Sequence, residues 1–550
     1  MRRFGTILLI TMICLSAAYG QHAPSQAAQK AMNDIDAEKI RATVKYLADD
    51  KLQGRGTGQT GGDMAADWIA AQFKSYGLAP AGDQGTYFQR VNFFGVTTDP
   101  KQTRLAFVPK TGPEIMLKFA DDYVANDQTH AQKSEIDAPI VFVGYGINAP
   151  EYNWDDYKGV DVKGKVLLML VNEPPSDDPS FFKGRALTYY GRWTYKYEEA
   201  ARRGAVGVVL IHKTEMASYG WEVVRNSWGG EASFLQDDTD PKLKSAGWIQ
   251  LEVARKLALV AGLDLDKMLH DATGRNFKPV ELAVRVKETI VSKVRSFNSR
   301  NVLAQVKGSD PKAAQQAVLY TAHYDHLGIH ADEPGHNIYN GAADNATGCG
   351  ILLELARVMA AAAEKPRRTM IFASVTAEEQ GLLGSKYLGQ HPPIPAQNIS
   401  LDLNYDDIQP LGEPQQLVVS GAERTSVYPL VEKVAKDFAM SIQPDDHPEA
   451  GHYYRSDHFS LARVGIPAFS VNEGVLFKGH DLAWGEEKER DYVAHRYHQP
   501  TDQYRPDMDF TADAKLAKFG LVLGWEAANQ PDLAGWQAGD EFEKVRKTTP

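Results

Sequence analysis

From about residue 299 the chain repeats a strand, loop and helix rhythm. Residues 316–322 and 368–375 are predominantly apolar runs, and the helical segment 346–362 between them is rich in alanine and leucine. Strands that are apolar along their whole length are typical of parallel sheets covered on both faces. The sequence therefore predicts an α/β fold, with a mixed, mostly parallel sheet and helices on both faces. Ligands of such sheets bind beyond the carboxyl ends of the strands.

Five residues of metal-ligand type follow these runs, each at the end of a segment that is predicted to be a buried strand. They are His323, Asp344, Glu379, Asp406 and His498. Two histidines and three carboxylates suit two zinc ions that share one bridging carboxylate. Glu378 is then free to act as a general base, which is what metal-assisted hydrolysis needs.

Each of these residues also has a simpler interpretation. A single His in an apolar strand is usually a core residue, but Asp325 two positions after His323 could fix its tautomer. Asp344 could be a helix N-cap. Glu378 and Glu379 could be an exposed pair at a helix start, although adjacent carboxylates in an enclosed site repel each other unless cations are near. The ordered set of five favours the metal site.

The N-terminus is typical of a targeting segment. Arg2 and Arg3 precede a short apolar run, and Ala18-Tyr19-Gly20 ends it with small residues, so we expect residues 1–20 to be a signal peptide. The formal charge of −11 argues against nucleic acid as a partner. No later run is long and apolar enough for a membrane span. We expect an exported protein, periplasmic or secreted.

The mature chain divides into three parts. Residues 21–100 contain two amphipathic helical patterns and a glycine-rich loop from Leu52, which lacks the Gly-Lys-Ser/Thr ending of a phosphate loop and is interpreted as a flexible connection. Residues 101–290 contain many short strand-like runs and no cluster of His and carboxylates, which indicates an inserted β-rich domain. Residues 291–550 form the main domain. Cys349 is alone after signal removal and is predicted to be a buried side chain.

The motifs of the main domain resemble those of the co-catalytic di-zinc aminopeptidases of clan MH. The matching segments are His323-x-Asp325, Gly341-Ala-Ala-Asp344-Asn-Ala-Thr-Gly348, Glu378-Glu379-Gln-Gly-Leu-Leu-Gly-Ser385, Asn404-Tyr-Asp406, Ser456-Asp457-His458 and Tyr497-His498-Gln-Pro-Thr-Asp502. Their order and spacing match across about residues 295–530. The insertion resembles the protease-associated domain of many members.

The resemblance implies a role for each residue. Asp344 would bridge the two zinc ions, with His323 and Glu379 at one ion and Asp406 and His498 at the other. Glu378 would be the general base, Asp325 would orient His323, and Tyr497 would stabilise the oxyanion. Arg455-Ser456-Asp457 would line the pocket near the substrate's free amine. Asp407 departs from the small or apolar residue of many members, and Asp406 is the predicted ligand.

The expected activity is removal of N-terminal residues from peptides that have a free N-terminus. A dipeptidase or carboxypeptidase on the same scaffold is the nearest alternative. Glutaminyl cyclases share the fold with one zinc ion, which the five-ligand set argues against. A binding protein like the receptors that have lost their ligands is disfavoured because all five ligands and Glu378 are present. Side-chain preference, the role of the insertion, the native metal and the oligomeric state stay open.

Overall fold

The protein is described from a computed structural model. The structure describes residues 26–217, 219–330, 335–445 and 447–548, so the predicted signal peptide lies outside the described residues. Within these ranges no helix has the length and apolar character needed to cross a membrane.

The N-terminal part begins with three helices that pack on the main domain. The elements are α1 (Gln26–Asn33), α2 (Ala37–Leu47), α3 (Thr60–Ser75), β1 (Ala79–Pro80) and β2 (Phe88–Thr98). Asp36 caps α2 by accepting from the Glu38 amide, and the buried face of α2 carries Ile40, Val44 and Leu47. This spacing of three and four residues is that of an amphipathic helix, and both helices predicted here are confirmed.

The inserted segment builds its own apolar cores on both faces of a sheet. Its elements are β3 (Arg104–Pro109), β4 (Ile115–Leu117), β5 (Tyr123–Asn126), β6 (Lys133–Phe142), β7 (Asn148–Ala149), β8 (Trp154–Asp155), β9 (Val166–Leu170), α4 (Trp193–Arg202), β10 (Gly207–His212), α5 (Thr214–Ala217), α6 (Trp221–Gly229), β11 (Glu231–Leu235), β12 (Ser245–Gln250), α7 (Leu251–Val260) and α8 (Leu265–Ala272). Strands β6, β9, β10 and β12 are parallel, and β5 pairs antiparallel at the edge.

One long strand, β13 (Val280–Val306), joins the insertion to the main domain. Its first half pairs antiparallel with β3 and β6, and its second half pairs with β2 and β17 (Thr369–Val375). The two sheets are therefore continuous. The strand order begins with β21 (Ala468–Ser470), β18 (Ile399–Asn404) and β14 (Ala317–His323) and continues β17-β13-β6-β9-β10-β12-β5. Because a shared strand fixes both halves, the insertion is held at a defined position beside the main domain.

The main domain follows the predicted strand and helix alternation. It contains β14 (Ala317–His323), β15 (Gly328–Ile329), β16 (Ile338–Tyr339), α9 (Gly348–Ala361), β17, α10 (Leu383–Gln390), β18 (Ile399–Asn404), β19 (Gln416–Val418), α11 (Tyr428–Asp437), β20 (Ser441–Ile442), α12 (His458–Ala462), β21 (Ala468–Ser470), β22 (Asn472–Glu473), α13 (Leu482–His495), α14 (Thr511–Asn529) and α15 (Glu543–Thr548). Strands β17, β14, β18 and β21 are mutually parallel.

Helices cover both faces of this sheet, which confirms the predicted fold class. Residues of α9 and α14 join one apolar core with the inner residues of β14, β17 and β18. A smaller core on the other face contains Leu388 of α10 and Leu461 of α12. Cys349 is buried in α9, as predicted. The carboxyl ends of β14, β17 and β18 consequently open at one edge of the sheet.

The glycine-rich loop differs from its interpretation as a flexible connection. Leu52, Gly54 and Arg55 are buried. The Arg55 guanidinium donates to the carbonyls of Tyr324 (2.6 Å) and Gly341 (2.9 Å), among others. A buried guanidinium needs several acceptors, and the backbone around the sheet edge supplies them. The loop is thus a packed support beneath the edge of the sheet.

Candidate metal centre

Three of the predicted ligands form a first donor group. His323 is the last residue of β14, and its Nε2 lies 2.9 Å from Asp406 Oδ1 and 3.3 Å from Asp344 Oδ1. Thr321 of β14 lies opposite Asn404, the last residue of β18; His323 and Asp406 each lie two residues further along the chain. The pleat points residues two apart to the same face, so this register brings the imidazole and the carboxylate together.

A second donor group shares Asp344 with the first. His498 Nε2 lies 3.2 Å from Asp344 Oδ2 and 3.2 Å from Glu379 Oε2. His326 Nδ1 lies 2.6 Å from Glu379 Oε1 and 3.8 Å from Asp344 Oδ2. The two carboxylate oxygens of Asp344 therefore face different groups, which is the arrangement of a carboxylate that bridges two cations.

Two expectations about these residues are wrong. The family resemblance implies one ion held by His323 and Glu379 and another held by Asp406 and His498. The structure instead groups His323 with Asp406 and Glu379 with His498. The residues also do not all end strands, because Asp344 lies in a non-helical part of the turn before α9 and His498 follows helix α13. The sheet edge is reached by loops as well as by strand ends.

The turn that carries Asp344 is held on several sides. Asp502 accepts hydrogen bonds from the amides of Ala343 (3.0 Å) and Asp344 (3.1 Å). Asn345 Nδ2 donates to the carbonyl of Tyr405 (2.8 Å), and the Asp344–Asn345 peptide bond is cis. Gly341 has φ +57°, and a Cβ there would lie 2.1 Å from the Asp344 carbonyl oxygen. The sequence around Asp344 thus fixes the carboxylate by packing and hydrogen bonds.

The side chain of Asp325 lies closer to the backbone of Glu378 than to the ring of His323. The Nδ1 of His323 lies 3.1 Å from the backbone oxygen of Asp325, whereas the nearer carboxylate oxygen is 3.7 Å away. The carboxylate accepts from Thr57 Oγ1 (2.8 Å) and from the Glu378 amide (3.2 Å). Asp325 therefore fixes the His323 tautomer through its backbone and positions Glu378 through its side chain.

The other residues singled out from the sequence surround the same edge. Tyr497 stacks on His498 with ring centroids 4.0 Å apart and is 39% exposed. Asp407 accepts from the Tyr492 hydroxyl (2.7 Å) and lies outside both donor groups. Ser456 Oγ donates to Asp406 Oδ2 (2.5 Å), and Asp457 is fully buried. Arg455 is exposed and donates to the Ala450 carbonyl.

The electrostatics of the site come from buried groups of opposite charge. Burial alone would lower the pKa of His323, but Asp406 and Glu378 outweigh it and raise the pKa well above its usual range. Burial would raise the pKa of Asp344, but the three neighbouring imidazoles hold it well below its usual range. Burial, with the charges of Asp406 and Glu379, raises the pKa of Glu378 well above its usual range. The imidazoles and carboxylates of the site thus stabilise each other's charges. A bound cation would take over the stabilisation of the carboxylates.

Orphaned polar atoms test whether these residues suit a metal. Both ring nitrogens of His326 and Glu379 Oε1 are buried and have no hydrogen-bond partner. Imidazole nitrogens and carboxylate oxygens are zinc donors, and tetrahedral bonds of about 2.05 Å place donor atoms about 3.3 Å apart. The 3.2 Å and 3.3 Å contacts around Asp344 have this spacing. The two groups fit two zinc ions with a shared carboxylate.

Sequence reasoning gave no role to four residues that build this centre. His326 belongs to the second donor group, Asp502 and Asn345 hold the Asp344 turn, and Arg55 supports the backbone beneath it. His326 had one usable signal, since it follows His323 and Asp325 directly after a buried strand. Arg55 had none, because its acceptors are backbone carbonyls far away in sequence.

Two known proteins are similar to this chain in sequence. The chain is 39% identical over 111 residues to a probable zinc metalloprotease of Pyrenophora tritici-repentis, which is 19% of this chain and 21% of that protein. It is 26% identical over 402 residues to the probable leucine aminopeptidase 2 of Aspergillus oryzae, which is 70% of this chain and 66% of that protein. The chain thus spans about a fifth of the length of the first of these relatives and about two thirds of the second.

The fold is shared with a solved structure. The aminopeptidase from Aneurinibacillus sp. strain AM-1 matches with a TM-score of 0.52 and 19% identity, over 92% of this chain and 97% of that chain. The family model for peptidase family M28 matches residues 301–519, which include all five predicted ligands and Glu378. Residues 301–519 thus resemble a peptidase domain of family M28.

Proposed function

We propose that the protein is an exported di-zinc aminopeptidase that removes N-terminal residues from peptides. The observation that carries the proposal is the pair of donor groups that meet at Asp344, with Glu378 next to the ligand Glu379. His323, Asp344 and Asp406 would hold one zinc ion, and Asp344, Glu379 and His498 would hold the other. The probable leucine aminopeptidase of Aspergillus oryzae supports the direction of cleavage.

The chain's own residues would perform the proton transfers. Two bound zinc ions would supply Lewis-acid polarisation of the scissile carbonyl and of the attacking water. Glu378, held by the hydrogen bond from its amide to Asp325, would accept the proton of that water and then give it to the leaving amine. The Tyr497 hydroxyl would donate to the developing oxyanion. The cluster of carboxylates favours a substrate with a cationic free amine.

Export and the identity of the insertion belong to the same proposal. The predicted signal peptide of residues 1–20 would direct the chain to the periplasm or the medium. The insertion, with its own cores and its long shared strand, would be a protease-associated domain beside the site. Lys386 and Arg463 of the main domain form ion pairs with Asp238 and Glu198 of the insertion, so the two parts would act as one unit.

Hydrolysis of a panel of aminoacyl-p-nitroanilides, with and without a zinc chelator, tests the activity. We expect chelator-sensitive release that zinc restores, and the panel ranks the preferred side chains. Bound zinc without release from any member would contradict aminopeptidase action and favour a dipeptidase, carboxypeptidase or cyclase. Neither zinc nor release would favour a binding protein.

A further inference from the structure

His326 occupies an unusual position in the second donor group. Its ring is 1% exposed, and neither ring nitrogen has a hydrogen-bond partner among the described residues. Nδ1 nevertheless lies 2.6 Å from Glu379 Oε1, which also lacks a hydrogen bond. The two atoms are close, but the ring N–H direction does not point at the oxygen.

Buried polar atoms in folded proteins are almost always hydrogen-bonded, and an unsatisfied one costs about 1–3 kcal/mol. A buried imidazole nitrogen and a carboxylate oxygen without hydrogen bonds can each bind a cation through a lone pair. One cation between them would satisfy both atoms. The distances from His326 Nδ1 to Glu379 Oε1 (2.6 Å) and to Asp344 Oδ2 (3.8 Å) bracket the donor spacing of about 3.3 Å in a tetrahedral zinc site.

The surrounding backbone is shaped around this ring. A Cβ at Gly341 would lie 2.6 Å from His326 Cγ, so a larger residue there would displace the imidazole. Arg55 holds the Gly341 carbonyl at 2.9 Å, and the His326 amide donates to the Arg55 carbonyl (3.4 Å). The ring therefore has little freedom to turn away from Glu379 and find another partner.

We propose that His326 is a fourth protein ligand of the cation held by Asp344, Glu379 and His498. This inference rests on the proposed metal centre. The two sites would then be unequal: His323, Asp344 and Asp406 supply three donors, whereas the second group supplies four. The additional imidazole would make the second site retain its ion more tightly than the first.

The number of imidazoles per zinc distinguishes a ligand from a neighbour. X-ray absorption at the zinc edge of the fully loaded protein should show three imidazoles for two ions, from His323, His498 and His326. The His326→Gln variant should show two, and competition with a chromophoric chelator should show one of two zinc affinities weakened by roughly 10- to 100-fold. The exposed His270 of α8 gives the matched control, and His270→Gln should match the unaltered protein in both measurements.

The outcomes separate this inference from the proposed function. Two imidazoles for two zinc ions in the unaltered protein would overturn the role of His326 and leave the di-zinc centre intact. No stoichiometric zinc in the unaltered protein would overturn both. The count on the unaltered protein decides the matter even if the His326→Gln variant does not fold.

Discussion

The insertion and the main domain both bury charged groups, but they treat them differently. In the insertion, Lys196 Nζ donates to the Asn172 carbonyl (2.8 Å), Glu173 accepts from the Thr188 amide (2.9 Å), and Asp156 accepts from the Ile147 amide (3.0 Å). At the metal centre, both ring nitrogens of His326 and the Oε1 atom of Glu379 are buried without a hydrogen bond. Satisfied buried charges organise a fold, whereas converging unsatisfied donors indicate a site for a ligand.

The largest predicted effect is the loss of catalytic rate when the general-base candidate of the main domain is replaced. Glu378→Gln removes the proton acceptor but keeps the size of the side chain, so kcat should fall by roughly 10²- to 10⁴-fold while two zinc ions stay bound. Steady-state rates and metal analysis of the same sample measure both effects. Glu364→Gln, at an exposed position, should change neither. Full turnover in Glu378→Gln would eliminate the general-base assignment.

Removing the central charge of the insertion should act on stability alone. Burial lowers the pKa of Lys196, and the charges of Asp156 and Glu173 oppose that shift. Lys196→Met leaves both acids buried without their cation, which should cost about 3–5 kcal/mol in the free energy of unfolding. Urea titration measures this loss, with exposed Lys256→Met as the control. Loss of zinc from the folded Lys196→Met variant would show that the two regions are not independent.

The pH dependence of stability gives a further test of how the insertion buries charge. Burial raises the pKa of Glu288, on the insertion half of β13, from 4.5 to about 7. The folded state therefore binds the extra proton between these values, and stability falls as pH rises from 4.5 through 7. Glu288→Gln should remove this loss. Between pH 4 and pH 8, the difference in free energy of unfolding between the variant and the unaltered protein should therefore shift by about 3 kcal/mol in favour of the variant. Parallel stability curves from denaturant titrations would contradict the pKa shift.

The smallest effect is expected from a residue that positions a ligand without binding metal. Asp502→Asn weakens the two hydrogen bonds that hold the Asp344 turn, because an amide accepts less strongly than a carboxylate. Zinc affinity should fall by roughly 10- to 100-fold, as for other changes behind a metal ligand. Chelator competition measures it, and the exposed Asp507→Asn should leave affinity unchanged. Unchanged affinity in Asp502→Asn would mean that packing alone fixes the turn.

Much of the fold could be predicted because its signals are local. The apolar runs before His323 and Glu379 became β14 and β17, and the alanine- and leucine-rich segment became α9, with ends within a few residues of the prediction. The predicted domain boundary at about residue 290 falls inside a single strand. The residues from 280 to 306 form one strand that serves both sheets, and strand pairing is not visible in composition.

The sequence by itself determined the strand and helix alternation, the identities of the candidate ligands and the position of Glu378 beside one of them. Only the tertiary structure decided which ligands face each other. His323 meets Asp406 because Thr321 pairs with Asn404, whereas Glu379 lies four residues beyond Val375, the residue opposite His323 on β17. It also decided that His326 and Arg55 belong to the centre, since register and loop packing join residues that are distant in sequence.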